Sequence, residues 1–254
     1  MSSISDIMIC AMAKEIKDGE MAFHGLASPL VTIAMHLAQN THAPNMVYAC
    51  VAESIDPKYD KITISTGDPS LLKGAVAYLT IPQAFDYAQK GRMDIMFFGG
   101  AQIDKHGNTN LSVIGDYEKP KVRLPGGAAS AFLCMVAGRT VLWTTHHSVR
   151  TMVEKVDFIT GQGFLDGKTD MKTIGALGSG PSRVITNLGV FDFQDRRMQI
   201  KSIHPGYALD DVLGSTGFKL IVPEKVEETE KPTERELEII DRIDPDRIRE
   251  AEFR

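Results

Sequence analysis

The chain has 254 residues, 43% of them hydrophobic and 24% charged, enough to bury a core of its own without disulfides or metals. Of its 33 acids and 28 bases, 12 and 7 fall in residues 224–254, so residues 1–223 are electrically neutral and the net charge of −5 belongs to an acidic C-terminal tail. That balance offers no basic face for nucleic acid, and no apolar run approaches the ~18 residues of a membrane span.

The N-terminus lacks the basic, apolar and small-residue order of a secretory signal, so the expectation is a soluble cytoplasmic protein. Cys10, Cys50 and Cys134 are odd in number and form no C-x-x-C pair, which points to buried thiols rather than a disulfide framework or a metal site.

Taken in chain order, Ile9, Met12, Ala13 and Ile16 recur at helical spacing over 5–18, with Gly19 at the C-cap position. Met21–Phe23 reads as a short strand. Ser28-Pro29 reads as an N-cap with proline at the first helical position, ahead of Leu30, Ile33, Ala34 and Leu37. The run Met46–Val51 has strand length and no helical period, as a strand covered on both faces should. Thr80 and Pro82 open another helix that closes at Gly91, and Met93–Phe98 is a second buried strand.

That strand runs into Gly99-Gly100 and a segment through Asn108 that is rich in turn formers and is expected to be irregular. Further strands are expected at Thr140–Thr145, Val156–Thr160 and Val184–Asn187. Gly189–Phe193 and Arg197–Ile203 should form an antiparallel hairpin. Thr233 and Glu236 have capping-box spacing before Leu237, Ile240 and Ile243, so the acidic tail should carry a short amphipathic helix. Alternation of this kind predicts an α/β fold in which helices flank a mixed, mostly parallel central sheet. No repeat or linker divides the chain, and a single domain over 1–254 with its tail at 224–254 is expected.

Glu53 follows a buried strand, and ligands of open α/β sheets gather at the carboxyl ends of strands, where a carboxylate can act as nucleophile or base. A capping or solvated loop acid is the plainer reading of that position. Gly99-Gly100-Ala101 and Gly126-Gly127 are turns whose backbone N–H groups could approach an oxyanion, or simply tight exits from a strand. His146-His147 has no ligand-spaced carboxylate and reads as a structural pair. The chain has no complete G-x-G-x-x-G, no P-loop and no G-x-S-x-G, which removes the dinucleotide, P-loop and serine-hydrolase readings.

The string Phe98-Gly99-Gly100-Ala101-Gln102-Ile103-Asp104, with Gly107-Asn108 and Ile114-Gly115-Asp116-Tyr117, resembles the type I CoA-transferase family, in particular its glutaconate CoA-transferase β-subunit group. The likeness continues through Pro120, Gly126-Gly127-Ala128, Phe164, Asp166-Gly167, His204-Pro205, Thr216-Gly217-Phe218 and Ile243-Asp244-Pro245, nearly the whole chain.

The resemblance implies a three-layer α/β subunit that works with a homologous α subunit, as a heterodimer or a dimer of heterodimers, on a coenzyme A thioester and with no permanent cofactor or metal. In such transferases a β-subunit glutamate in an E-S-G or E-N-G setting after a strand attacks the thioester. The resulting acyl-glutamyl anhydride releases CoA thiolate, which attacks the glutamyl carbonyl, expels the free acid and leaves a glutamyl-CoA thioester. On this chain the resemblance nominates Glu53, with Gly99, Gly100, Ala101, Gly126 and Gly127 as oxyanion donors and Cys50, Val51 and Ser54 as pocket residues.

The motif reads Glu53-Ser54-Ile55, with isoleucine in place of glycine, and an ungapped alignment from Ala43-Pro44 to Asp56 puts Val51 in the nucleophile's place. Relatives on the same fold include a 3-methylglutaconyl-CoA decarboxylase group, which Thr41-His42-Ala43-Pro44 and Ile55-Asp56-Pro57 resemble, and a steroid ring-cleaving hydrolase group. A non-covalent decarboxylase or hydrolase is therefore the alternative to transfer.

Overall fold

The computed structural model describes residues 2–58 and 61–253, which divide into two compact units, 1–97 with 230–254 and 98–229.

The first unit opens with α1 (Ile4–Ala13), whose N-terminus is closed by a capping box between Ser3 and Asp6. It then alternates β1 (Met21–His24), α2 (Pro29–Gln39) and β2 (Val47–Cys50). A tight turn leads into β3 (Ser54–Ile55), followed by β4 (Ala77–Tyr78), α3 (Ile81–Gln89) and β5 (Ile95–Gly99), the last crossing the division. The strand order is β5-β1-β2-β3-β4. β1 runs parallel to β2 and β5, whereas β2–β3 and β3–β4 are antiparallel. Both buried runs foreseen in the sequence thus pair in parallel with β1, and their residues are largely buried on both faces.

In the second unit β6 (Gln102–Asp104), β7 (Thr109–Asn110), β8 (Val113–Gly115) and β9 (Pro120–Arg123) precede α4 (Ser130–Val136). Then come β10 (Arg139–Thr144), β11 (Met152–Val153), β12 (Pro181–Thr186), β13 (Gly189–Gln194), β14 (Arg197–Ile203), α5 (Leu209–Gly214) and β15 (Glu227–Glu228). The main strands are ordered β15-β14-β13-β12-β10, and smaller sheets are formed by β11-β6-β7 and β8-β9. β10 and β12 are parallel, β12–β13 and the expected β13–β14 hairpin antiparallel.

From residue 230 the chain belongs to the first unit again, with α6 (Glu234–Ile243), capped by Thr233 and Glu236 as the spacing predicted, and a 3₁₀ turn over Ile248–Phe253. The tail is anchored by Arg249, only 1% exposed, whose guanidinium reaches Asp6 (3.0 Å), Asp241 (2.5 Å) and Asp244 (3.2 Å). An acidic composition therefore hides a buried ion-pair cluster rather than a purely solvated extension.

Three expectations fail. The first helix, expected over 5–18 with Gly19 as its C-cap residue, stops at Ala13 with Lys14 as C-cap, because the chain tightens there into turns in which Glu15 N–H bonds Met12 O and Ile16 N–H bonds Ala13 O. Val156–Thr160 is not a strand: the ladder partner is Met152–Val153, and Thr160 instead donates its N–H to Thr109 O (2.9 Å) and accepts Leu111 N–H on its hydroxyl (2.9 Å). The segment after Gly100 is not wholly irregular either, since Gln102–Asp104 pairs with both β7 and β11. Among the described residues no helix is long and apolar enough to cross a membrane.

Candidate functional site

In the first unit, β2 and β3 pair with Cys50 opposite Ser54, leaving Val51, Ala52 and Glu53 as a three-residue loop. Glu53 N–H donates to Cys50 O (3.0 Å), and Glu53 closes the loop in the left-handed region at φ 64°. A hairpin loop of this length ends on a left-handed residue because only that backbone turn restores the ladder, and glycine is the residue that adopts it without Cβ strain.

Glu53 is exposed, and it binds in three directions. Besides the turn, its carbonyl accepts Leu79 N–H (3.0 Å) and its Oε1 accepts Ile81 N–H (2.9 Å), the first amide of α3. The N-terminus of α3 is further closed by the Thr80–Gln83 capping box. A carboxylate at a helix N-terminus also gains from the helix dipole.

The other residues nominated around Glu53 are mainly structural. Ser54 is fully buried and donates its hydroxyl to Leu71 O (2.9 Å); Cys50 is 2% exposed with its Sγ 3.9 Å from Thr66 O. Val51 and Ala52 are half-buried at the tip of the loop. On the strand that leads into the loop, Tyr48 meets His24 at the end of β1, with the phenol 2.8 Å from Nε2 while Nδ1 donates to Gly25 O (2.7 Å). The tautomer follows, since a carbonyl only accepts: Nδ1 carries the proton and Tyr48 donates to Nε2. Burial pushes the His24 pKa down to about 4, so it stays neutral.

In the second unit, two of the expected oxyanion donors are already engaged. Ala101 N–H donates to Asn110 O (3.0 Å) and Gly126 N–H to Leu111 O (2.8 Å), which removes both from that role in this conformation. Gly99 packs with a Cβ-position 3.7 Å from the Trp143 ring, and Gly127 could not carry a Cβ without one 2.4 Å from Thr160 Cγ2. Close approach of Thr160 therefore demands glycine at 127, whereas Gly99 has room for a Cβ in ordinary contact with the Trp143 ring.

The polar letters of the motif form a buried framework that sequence reasoning did not resolve. Asp104 Oδ1 accepts the N–H groups of His106 (2.9 Å) and Asn108 (3.1 Å), and both its oxygens receive Asn108 Nδ2. Asn108 in turn accepts Gly163 and Leu165 N–H on Oδ1 (2.9 and 3.1 Å) and donates to Leu165 O (2.8 Å). Gln102 accepts Asn110 Nδ2 (2.7 Å) and the backbone N–H of Asp157 (3.0 Å), whose carboxylate takes Gly115 N–H (2.8 Å). Burial raises the Asp104 pKa while these donors oppose the rise. The only sequence signal was the density of amides and acids between 102 and 110.

His146 is exposed and His147 buried between the hydroxyls of Thr186 and Thr216, both 2.9 Å from its ring nitrogens, which is the structural pair the sequence suggested. Among the described residues no group of three or more His, Cys, Asp or Glu could hold a metal ion.

The sequence model of the coenzyme A transferases matches residues 6–215 of this α/β chain. The chain belongs to the coenzyme A transferase family. It is 36% identical over 241 residues to the B subunit of 3-oxoadipate CoA-transferase of Pseudomonas knackmussii, covering 94% of this chain and 92% of that one. With the B subunit of glutaconate CoA-transferase of Acidaminococcus fermentans it shares 30% over 250 residues, 94% of this chain and 92% of the relative. Among solved structures the decarboxylase AibA/AibB is similar at 32% identity and a TM-score of 0.88, with 98% of each chain covered.

Proposed function

We propose that this chain is the B subunit of a two-subunit cytoplasmic enzyme that moves CoA between a small dicarboxylic acyl-CoA and a free acid, with CoA thioester as substrate and no permanent cofactor. The observation that carries this reading is similarity over nearly the whole chain to two CoA-transferase B subunits. In this reading an A subunit completes the enzyme and Glu53 is the attacking carboxylate. Gly99, Gly100 and Gly127 are then the backbone donors for the developing oxyanion. Transfer suits a carboxylate because donor, intermediate and acceptor are all carboxyl derivatives, so the group-transfer potential of the thioester survives if water is excluded.

A second reading, carbon–carbon bond cleavage on a bound acyl-CoA without a covalent step, is favoured by the placement of Glu53, whose carboxylate is bonded to the N-terminus of α3. The decarboxylase AibA/AibB supports it as a neighbour in structure. Fold alone does not choose between the two.

The test is isotope exchange by the complex with its A subunit. Transfer predicts incorporation of labelled glutaconate into glutaconyl-CoA, or of labelled 3-oxoadipate into 3-oxoadipyl-CoA, and a borohydride-sensitive glutamyl-CoA adduct. Absence of exchange together with release of CO₂ from a dicarboxylic acyl-CoA would establish the second reading instead.

A further inference from the structure

The edge of the first unit that carries Glu53 also carries a leucine displayed by a braced loop. β1 and β2 run parallel with Phe23 opposite Ala49, so the two strands end level with each other, β1 at His24 and β2 at Cys50. Neighbouring strands lie ~4.8 Å apart, which brings the loop after β1, residues 25–28, alongside the Val51–Glu53 loop. We infer that Leu26, in the first of these loops, is a specificity-determining residue that contacts the carbon chain of the acyl group and selects its length.

Three observations carry this. First, Leu26 is 62% exposed at the carboxyl end of a parallel strand, the edge at which ligands of such sheets gather. A single exposed leucine is ordinary on a surface, but this one stands on backbone that is held on both sides. Gly25 O accepts from His24 Nδ1 (2.7 Å) and Thr66 Oγ1 (3.4 Å), and Ala27 N–H donates to Thr66 Oγ1 (2.9 Å). Leu26 O accepts from Ser28 Oγ (3.1 Å), and Ser28 is itself buried. Second, Ala27 holds φ at 48°, a left-handed backbone that a non-glycine residue keeps only where its surroundings impose it, as at ligand clamps. Third, Thr66 serves both loops, since its carbonyl lies 3.9 Å from Cys50 Sγ, and Leu26 lies over the same segment, with Cδ2 3.9 Å from the Cβ position of Gly67. Residues 25–28 are uncharged, so this wall offers apolar contact to methylene groups rather than a partner for a carboxylate.

The inference rests on action on a dicarboxylic acyl-CoA, which both readings above share. Turnover is therefore read as exchange or as CO₂ release, whichever the complex with the A subunit performs. Leu26→Ala and Leu26→Phe are compared with the parent on glutaconyl-CoA, with five acyl carbons, and 3-oxoadipyl-CoA, with six. One methylene in an apolar pocket is worth about 10-fold or more in kcat/KM. Leu26→Ala should therefore move the ratio of the two kcat/KM values by about 10-fold toward the six-carbon thioester, and Leu26→Phe by a similar factor toward the five-carbon one. The change should fall chiefly on KM, with melting temperatures unchanged.

A ratio within about twofold of the parent in both variants would overturn the inference, whether the two kcat/KM values hold or fall together. Loss of the A subunit on size-exclusion chromatography, with the ratio constant in the complex that remains, would overturn it in favour of a subunit contact. In a parent active on one thioester alone, the variant of matching volume should gain the other, and no gain would overturn the inference. A parent complex that turns over neither thioester refutes the acyl-CoA reading and the inference with it, which separates that failure from a flat ratio in an active enzyme.

Discussion

Replacing Asn108 by alanine tests whether the closely spaced amides between 102 and 110 hold the second unit together rather than wait for a ligand. The side chain, 1% exposed, accepts from Gly163 and Leu165 N–H, donates to Leu165 O and donates to both oxygens of Asp104. Three backbone groups would lose their partner at ~1 kcal/mol each, and the charge-assisted bond to Asp104 adds about 1.5–3. The sum, about 4.5–6 kcal/mol, is a large part of the roughly 5–15 kcal/mol that a folded domain has in hand. Thermal unfolding should show it as a fall of about 10 °C or more at this chain length.

Asn108→Asp sharpens the test because it keeps the shape. The new carboxylate can still accept Gly163 and Leu165 N–H, but it faces Asp104 and Leu165 O with no donor. One proton shared by the pair restores a donor, so the folded state of this variant binds a proton more tightly than the unfolded chain. Measured against the parent at each pH, its loss of stability should therefore be smallest at about pH 4 and below, the ordinary carboxylate range, and grow as pH rises toward neutrality. An Asn108→Ala protein that melts within about 2 °C of the parent would refute the framework, and an Asn108→Asp protein with no pH dependence would refute the assigned contact with Asp104.

Arg249→Ala leaves Asp6 and Asp244, both buried, without their cation, and should cost about 3–5 kcal/mol in denaturant unfolding, far more than truncation of the exposed pair between Lys61 and Asp246. Gly163→Ala would place a Cβ 2.3 Å from Gly107 C and should prevent stable folding, whereas Gly175→Ala, with open space but φ 82°, should cost only about 1 kcal/mol; soluble yield and melting temperature of the pair separate crowding from backbone strain. Burial holds His147 and His204, like His24, down to a pKa of about 4 against an ordinary 6.5. The folded state binds fewer protons than the unfolded one in that window, so stability should be complete above about pH 6.5 and decline as pH falls toward about 4, and His147→Gln should flatten the decline measured by urea unfolding at successive pH values.

Much of this architecture was legible locally. Thr80 with Gln83 and Thr233 with Glu236 announced α3 and α6 because a capping box is a contact within four residues, and the apolar runs 46–51 and 93–98 announced buried parallel strands because polar residues cannot line both faces of a covered sheet. The family likeness was legible too, since its signature is a contiguous string.

What the string does was not legible. Asn108 meets Gly163 and Leu165 fifty-five and fifty-seven residues away, and nothing in the spacing of 102–110 says so. The expected strand at 156–160 failed for the same reason: Thr160 had a better partner at Thr109 and Leu111, which only the folded chain supplies.

Glu53 divides the two kinds of knowledge most clearly. Its position after a buried strand could be read from the sequence, and so could the competing ungapped alignment that places Val51 there. The left-handed φ and the bond to Ile81 could not, because both arise from the pairing of β2 with β3 and from the arrival of α3, twenty-eight residues downstream. Residue type determines what a side chain can do, while the tertiary structure decides which partner reaches it first, since hydrogen bonds between distant segments form only after the chain has brought those segments together.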